Sequence, residues 1–321
     1  VPIQTTTGPA WSVNEEAAIW RGLSLAMREN RYLRNQNIVY DLDYLLDYGC
    51  EPSGVDFDPM IGMNDLWPEF PKGLDFTTSI FTRYPYYTDE GKTWGKKVPD
   101  QQVWTYNCKD MVATPETSEG IIRELKEKKL FDLCQKRSTA FIPIVMEMMR
   151  NKVRLDRSWH SKLAGILADE RIHKHQELTG MIGRDINVKS SQQIQTLLYD
   201  ELRLPVKKKR GTGQPTVDEY SLKELRAETS NPVLNLILEE RHLRTKESNY
   251  INVTFDTGTD GDLYLGFMGN IGGTKTGRWS FSKSPKWRGS APQTVSKIMR
   301  LMYAPPRGSW FWQRDLSQAE A

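Results

Sequence analysis

Polar and acidic residues near the end of the sequence are of types that could take part in catalysis. Asp315 follows the apolar run SWFW, and Gln318 and Glu320 come shortly after it. An aspartate at the end of an apolar strand is well placed to coordinate magnesium against phosphate oxygens. Further upstream, Arg278 follows Gly277, and a guanidinium can donate two hydrogen bonds to a phosphate or a nucleic-acid edge. Spacing alone favours the simpler interpretation, a solvated turn and a surface arginine.

A second set of polar residues lies in the first third of the chain. The β-branched run Gln36–Tyr40, which contains Asn37, predicts a short strand that ends at Asp41. Tyr106 and Asp110 are four residues apart, so on a helix they share a face. Two such carboxylates can hold a divalent metal ion while the tyrosine orients a water molecule. An aspartate at a strand end is more often a turn former, so the spacing by itself is a weak signal.

A short basic run lies in a glycine-containing loop between two predicted helices. It consists of Lys207, Lys208, Lys209 and Arg210. Such a run is most often a solvated loop, and contact with phosphate groups is the alternative. His173 and His175 do not form a helical metal pair, because side chains at i and i+2 point apart.

The predicted helices have clear start signals. Ser12 and Glu15 match a capping box, and the helix that follows is predicted to bury Ile19, Leu23, Ala26 and Met27. Asn231 and Pro232 match an N-cap and a first helical position. Ser190 is predicted to cap a helix whose apolar face comprises Ile194, Leu197, Leu198 and Leu202.

The pattern changes after residue 250. The runs INVTF and LYLGF alternate around TGTDGD, which predicts a β-hairpin, and SWFWQRD predicts a further strand. The layout is therefore α/β at the start, helical from about 115 to 247, and β-rich at the end.

The composition excludes several protein classes. Hydrophobic residues make up 38% of the chain and charged residues 26%, as in ordinary soluble proteins. There is no apolar run of membrane-spanning length and no signal-peptide pattern at the start. The cysteines, Cys50, Cys108 and Cys134, form no disulfide framework or zinc knuckle, which favours a reducing cytoplasm. A net charge of +3 does not by itself predict nucleic-acid binding.

Six segments, in this order, resemble family A DNA polymerases of the Klenow type, particularly the bacteriophage enzymes. QNIVYDLDYLL, IGMNDLWPEFPKGLDFTTSIFT and YNCKD resemble the second exonuclease motif, the segment after it and the third exonuclease motif. NPVLNLILEERHLRTKESNYI resembles the helix from thumb to palm, TGRWSFSKSP a conserved palm segment, and DLSQAEA polymerase motif A. The resemblance extends from about residue 12 to 321. It implies a DNA-directed polymerase that uses two Mg²⁺ ions, primer–template DNA and dNTPs.

The resemblance also implies roles for individual polymerase residues. Asp315 would bind both catalytic metal ions, and Leu316 would contribute its backbone carbonyl. Glu320 would exclude a ribose 2′-hydroxyl, Gln318 would support the primer–template, and Arg278 would contact the minor groove at the primer end.

Further roles follow for the exonuclease-like part and the thumb. Asp41 and Asp110 would be exonuclease metal ligands, Tyr106 would position the attacking water, and Asn37 would support the frayed primer strand. The place of the basic run beside the predicted thumb favours phosphate contact.

The implied architecture has three parts. Residues 1–126 would form an incomplete ribonuclease H-like exonuclease domain, 127–250 a mainly helical thumb, and 251–321 the start of a palm. The first exonuclease motif, the nucleotide-binding helix and the His-Asp-Glu turn of the family are absent from this sequence. We therefore expect a fragment that is catalytically incomplete in isolation. The alternative is the DNA-binding half of a split polymerase, completed by a second chain that supplies the fingers and the rest of the palm.

Two departures from the family pattern carry structural expectations. Pro115 is predicted to kink or restart its helix, with Thr114 as the new cap. Lys152 stands where the family has a glycine in the turn that enters the thumb.

Overall fold

The computed structural model describes residues 2–30, 32–92, 98–284, 286 and 288–312. The helices in these ranges are α1 (Val13–Glu29), α2 (Ile38–Leu45), α3 (Pro59–Leu66), α4 (Leu74–Phe81), α5 (Asp89–Lys92), α6 (Asp100–Glu127), α7 (Phe131–Arg137), α8 (Ile142–Asn151), α9 (Arg157–Ile182), α10 (Ser191–Gln195), α11 (Glu219–Thr229) and α12 (Pro232–Lys246). The strands are β1 (Gln4–Thr5), β2 (Gly8–Pro9), β3 (Val153–Leu155), β4 (Asp256–Thr257), β5 (Leu263–Leu265), β6 (Met268–Asn270), β7 (Ser280–Ser282) and β8 (Tyr303–Ala304).

The chain divides into two compact units. The first comprises Val1–Lys152, Gly266–Lys286 and Ala291–Gln293. Its centre is helical, because α3 and α4 pack against the long helix α6. The hydrophobic cluster there contains Phe57, Met63, Leu66, Ile121, Ile122, Leu125 and Cys134. Strands β6 and β7 form a separate antiparallel hairpin in this unit.

The second unit comprises Val153–Leu265, Trp287–Ser290 and Thr294–Ala321. Helices α9 and α12 pack together, and a four-stranded antiparallel sheet has the order β4-β5-β3-β8. Val153 pairs with Leu265 and Leu155 with Tyr303, which fixes the register. The two units are defined only by how compactly their residues pack. They do not test the predicted domain bounds at 126 and 250, which stay predictions.

The helix start signals are confirmed. Ser12 and Glu15 form the capping box at α1, and the Asn231 side chain accepts a hydrogen bond from the N–H of Val233 at 3.0 Å. Ser190 caps α10, and its predicted apolar residues are buried except Leu202, which is half-buried.

The apolar face predicted for α1 is wrong for Leu23 and Ala26, and Ile19 is half-buried. Of these four, only Met27 is buried, whereas Leu23 and Ala26 are exposed. Helical spacing shows which side chains share a face, but burial also needs a neighbouring element against that face.

The predicted restart at Pro115, with Thr114 as its cap, is also wrong, whereas the alternative, a kink, stays a prediction. Helix α6 runs without interruption from Asp100 to Glu127 with Pro115 inside it. Thr114 lies within the helix, and its hydroxyl donates to the carbonyl of Asp110 at 2.7 Å. A proline removes one backbone donor, and the burial of the residues around it holds this helix together: Ala113, Thr114, Thr117 and Ser118 are all buried.

The strand predictions have mixed outcomes. The hairpin after residue 250 is confirmed in part: β4 pairs with β5 around Gly261. The second predicted strand, LYLGF, contains β5, whereas the first, INVTF at 251–255, is wrong, because β4 begins only at Asp256. The strand predicted for SWFWQRD is absent from its described part, residues 309–312. In the described part of residues 1–126 the only strands are β1 and β2, of two residues each.

Candidate functional site

The predicted strand at 36–40 is a helix in the structure. Asn37 has left-handed backbone angles, with φ 55° and ψ 47°, and α2 begins at Ile38. Ile38, Val39 and Leu42 are buried, which is the spacing of a helical face. Asp41 therefore lies in the first turn of a helix, where a carboxylate is favourable.

A buried aspartate that the sequence reasoning missed sets the start of this helix. Asp58 accepts hydrogen bonds from the N–H groups of Asn37 at 3.0 Å and Ile38 at 2.9 Å. It also caps α3 by accepting from the N–H of Met60 at 2.8 Å. The Asp58-Pro59 pair is a helix-start signal that could have identified the cap of α3. Its link to α2 has no local signal in the sequence.

Burial controls the ionisation of Asp58. It raises the pKa of the carboxyl to about 6, against the opposing effect of its backbone N–H donors. Asp41 has a raised pKa for the same first cause, and its carboxylate accepts from the Asn35 amide at 2.7 Å.

Tyr106 and Asp110 lie on one helix, as predicted. Asp110 accepts a hydrogen bond from the hydroxyl of Tyr87 at 2.8 Å. The rings of Tyr87 and Tyr106 meet edge to face with centroids 5.6 Å apart. Burial raises the pKa of Asp110, and the Tyr87 hydrogen bond partly opposes it. The result is a carboxylate hydrogen-bonded to Tyr87, whose ring packs against that of Tyr106. Sequence reasoning found Tyr106 but missed Tyr87.

The described residues do not assemble a metal-binding cluster. Asp41 and Asp110 each have their own hydrogen-bonding partner, Asn35 and Tyr87. Across the described ranges, no group of three or more His, Cys, Asp or Glu side chains is arranged to hold a metal ion. Carboxylates are suitable ligands for Mg²⁺, but this donor set is too small to hold two ions.

Arg278 lies in the loop that joins β6 to β7. Its backbone N–H donates to the Thr274 hydroxyl at 2.9 Å, and that hydroxyl contacts the Arg278 carbonyl at 3.0 Å. Gly272 and Gly277 have φ angles of +67° and +73°, so the loop turns at positions that favour glycine. Arg278 is exposed. The structure therefore presents its side chain on a defined turn.

The basic run is not uniform. Lys207 forms ion pairs with Glu228 at 2.5 Å and Glu224 at 3.6 Å. Lys208, Lys209 and Arg210 are exposed at the tip of a loop. The charge of Lys207 therefore already has carboxylate partners, whereas the other three charges remain at the surface; the DNA-binding role of all four stays a prediction.

Arg241 holds the base of this basic loop, and sequence reasoning missed it. Its guanidinium donates to the carbonyl of Val188 at 2.7 Å and to that of Val217 at 2.6 Å. These carbonyls lie on either side of the segment that contains the basic run. An arginine on a charged helix has no sequence signal for such a role.

The histidines behave as their spacing predicts. His175 contacts the buried carboxylate of Glu240 at 3.0 Å and Asp185 at 2.7 Å. His173 instead pairs with Glu177. The two rings therefore have separate partners.

Four predicted polymerase residues lie outside the described residues. They are Asp315, Leu316, Gln318 and Glu320. Their roles stay predictions. In the described residues, no helix is long and apolar enough to cross a membrane.

Curated relatives of this chain are bacterial DNA polymerases I. The Synechocystis enzyme is 26% identical over 299 residues, which cover 89% of this chain and 30% of the relative. The Lactococcus lactis enzyme (strain MG1363) is 22% identical and covers 97% and 36%. The thermostable DNA polymerase I of Thermus caldophilus is 30% identical over 60% of this chain and 23% of its own. The chain thus spans about a third of the length of the first two relatives.

The fold has a solved counterpart. It is similar to the POL domain of Pol1 from M. smegmatis, solved in complex with DNA primer-template and dNTP. The TM-score is 0.60 at 20% identity, over 91% of this chain and 48% of the other. The sequence pattern of DNA polymerase family A matches residues 159–321, which is half of the chain. The chain therefore belongs to DNA polymerase family A.

Proposed function

We propose that this chain is part of a DNA-directed DNA polymerase that extends a primer on a template with dNTPs. The observation that carries the proposal is the family match over residues 159–321. That range contains Arg278, the basic loop and the motif that begins at Asp315. The proposed parts are an exonuclease-like domain over 1–126, a thumb over 127–250 and a palm segment from 251.

The proposed polymerase chemistry centres on Asp315. This carboxylate and the Leu316 carbonyl would hold Mg²⁺, which when bound supplies activation of the primer 3′-hydroxyl and charge stabilisation at the phosphate. Glu320 would select against a ribose 2′-hydroxyl, and Gln318 and Arg278 would hold the primer–template in place.

The basic loop would bind the DNA backbone. Lys208, Lys209 and Arg210 are exposed together, and basic side chains that contact phosphates position DNA without reading its sequence. Such binding weakens as salt rises, because counterions are released from the DNA.

The exonuclease-like chemistry is a separate part of the proposal. Asp41 and Asp110 would be metal ligands, Tyr106 would orient water, and Asn37 would contact the primer strand. The Tyr87 hydroxyl holds the Asp110 carboxylate in one orientation. We expect the digestion of single-stranded DNA to disappear in Asp110→Asn and its rate to fall in Tyr87→Phe. Unchanged digestion by Asp110→Asn would refute the proposed role of Asp110 as a metal ligand.

The decisive experiment is a primer-extension assay, with dNTPs and Mg²⁺, of the protein expressed from the full open reading frame that encodes this chain. We expect Asp315→Asn to abolish extension while primer–template binding is retained. Extension at an undiminished rate in Asp315→Asn would refute the assigned role. Asp260→Asn, a change of the same chemistry at an exposed turn, is the matched control and should extend normally.

The same assay distinguishes this proposal from a second one, in which the chain is the DNA-binding half of a split polymerase. This chain alone would then bind primer–template DNA without extending it, and a second chain would restore extension. We propose a cytoplasmic location, in a bacterial host cell if the gene is carried by a bacteriophage.

A further inference from the structure

The side chain of Arg137 lies against the glycine that precedes Arg278. Arg137 is the last residue of α7, and Gly277 is in the loop between β6 and β7. A Cβ atom on Gly277 would lie 2.8 Å from the Nη2 atom of Arg137. The backbone at Gly277 also has φ +73°. The backbone angles therefore favour glycine here, and the absence of a side chain leaves room for the guanidinium beside it.

Among the residues that the structure describes, no carboxylate pairs with the guanidinium of Arg137. Within the described ranges, Arg137 makes no ion pair and no side-chain hydrogen bond, and it is exposed. Lys275, in the same loop, differs because it pairs with Glu69. A guanidinium offers five N–H donors in a planar fork that matches a phosphate. At this position the donors lie beside the loop.

The loop that faces this guanidinium is held in one shape. Thr274 and Thr276 hydroxyls are 3.1 Å apart, and the N–H of Gly277 donates to the Thr274 carbonyl at 3.1 Å. At the other end, a Cβ on Gly272 would lie 2.8 Å from the amide of the buried Asn64. Both ends of the turn are therefore packed against helices of the same unit.

We infer that Arg137 binds a phosphate of the DNA backbone beside the loop 272–278. The inference rests on the proposed function, in which Arg278 contacts DNA from this loop. Phosphate charges recur along a duplex every few ångströms, so DNA held at Arg278 presents phosphates to cations next to it. Arg137 thus adds a backbone contact that fixes the register of the DNA and carries no sequence information.

The test is binding of a fluorescently labelled primer–template duplex, measured by anisotropy across a series of salt concentrations. Arg137→Ala should weaken binding about tenfold, and the slope of log affinity against log salt should fall by about one. Arg137→Lys keeps the charge but loses the fork, so its affinity should lie between the two. Lys136→Ala is the matched control: it removes an exposed charge from the same helix without touching Gly277.

Three results would overturn the inference. The first is an Arg137→Ala variant that binds DNA as tightly as the unsubstituted chain, and the second is a loss of affinity no greater than that of Lys136→Ala. If the unsubstituted chain binds no primer–template at all, the inference and the proposed function fail together. A thermal melt of each variant checks folding, and Arg137→Lys decides the question if Arg137→Ala is unfolded.

Discussion

The buried carboxylate of Asp58 accepts a hydrogen bond from the N–H of Ile38 at 2.9 Å and so fixes the first turn of α2. One aspartate thus serves the starts of two helices, α2 and α3. The helix it starts carries Asp41, a candidate metal ligand. Asp58 is therefore a positioning residue for Asp41, whose metal-binding role is a proposal.

The pH dependence of stability should report on Asp58. Its pKa is raised in the folded state to about 6, so the folded chain holds this proton more tightly than the unfolded chain does. The stabilisation is fully present below pH 3.8 and is lost as pH rises through 6. Between pH 4 and pH 7 the unfolding free energy of the unsubstituted chain should fall by about 2 kcal/mol relative to Asp58→Asn. Chemical denaturation at several pH values measures this difference, and a constant difference would contradict it.

Replacing Lys152 by glycine should stabilise the chain. Lys152 has φ 54° and ψ −171°, a backbone region that glycine occupies almost alone. Relief of this strain outweighs the extra chain entropy of glycine, for a net gain of about 1 kcal/mol. Lys152→Ala is the control, because it removes the charge and keeps the strain. Equal stability of the two variants in a denaturant titration would refute strain as the cause.

Two helical glycines should respond oppositely to alanine. A Cβ on Gly120 of α6 would lie 2.7 Å from the Cβ of Phe81 on α4, whereas Gly165 of α9 faces open space. Gly120→Ala should cost about 1–3 kcal/mol through overpacking. Gly165→Ala should gain about 0.5–1 kcal/mol from helix propensity. Thermal melts of both variants test the pair, and a stable Gly120→Ala would show that the α4–α6 contact can relax.

The four residues of the basic loop should differ in their effect on DNA binding, according to whether their charge has a carboxylate partner. Alanine at Lys208, Lys209 or Arg210 should each lower the salt slope of DNA binding by about one. Lys207→Ala should change it much less, because Glu228 and Glu224 already neutralise that side chain. Anisotropy titrations at several salt concentrations measure the slopes. Equal effects at all four positions would mean that DNA displaces the two glutamates.

The sequence by itself determined the family, the starts of α1, α10 and α12, and the shared helix of Tyr106 and Asp110. These depend on contacts within a few residues, such as the capping box of Ser12 and Glu15, or on motif order along the chain. Tertiary structure decided the rest. The helix over residues 38–45 begins where it does because Asp58, distant in sequence, accepts the N–H groups of Asn37 and Ile38. Lys207 is paired because α11 brings Glu224 and Glu228 to it. Arg137 reaches Gly277 across a long stretch of chain. Local residue patterns carry no record of such contacts, because they arise only when distant segments pack together.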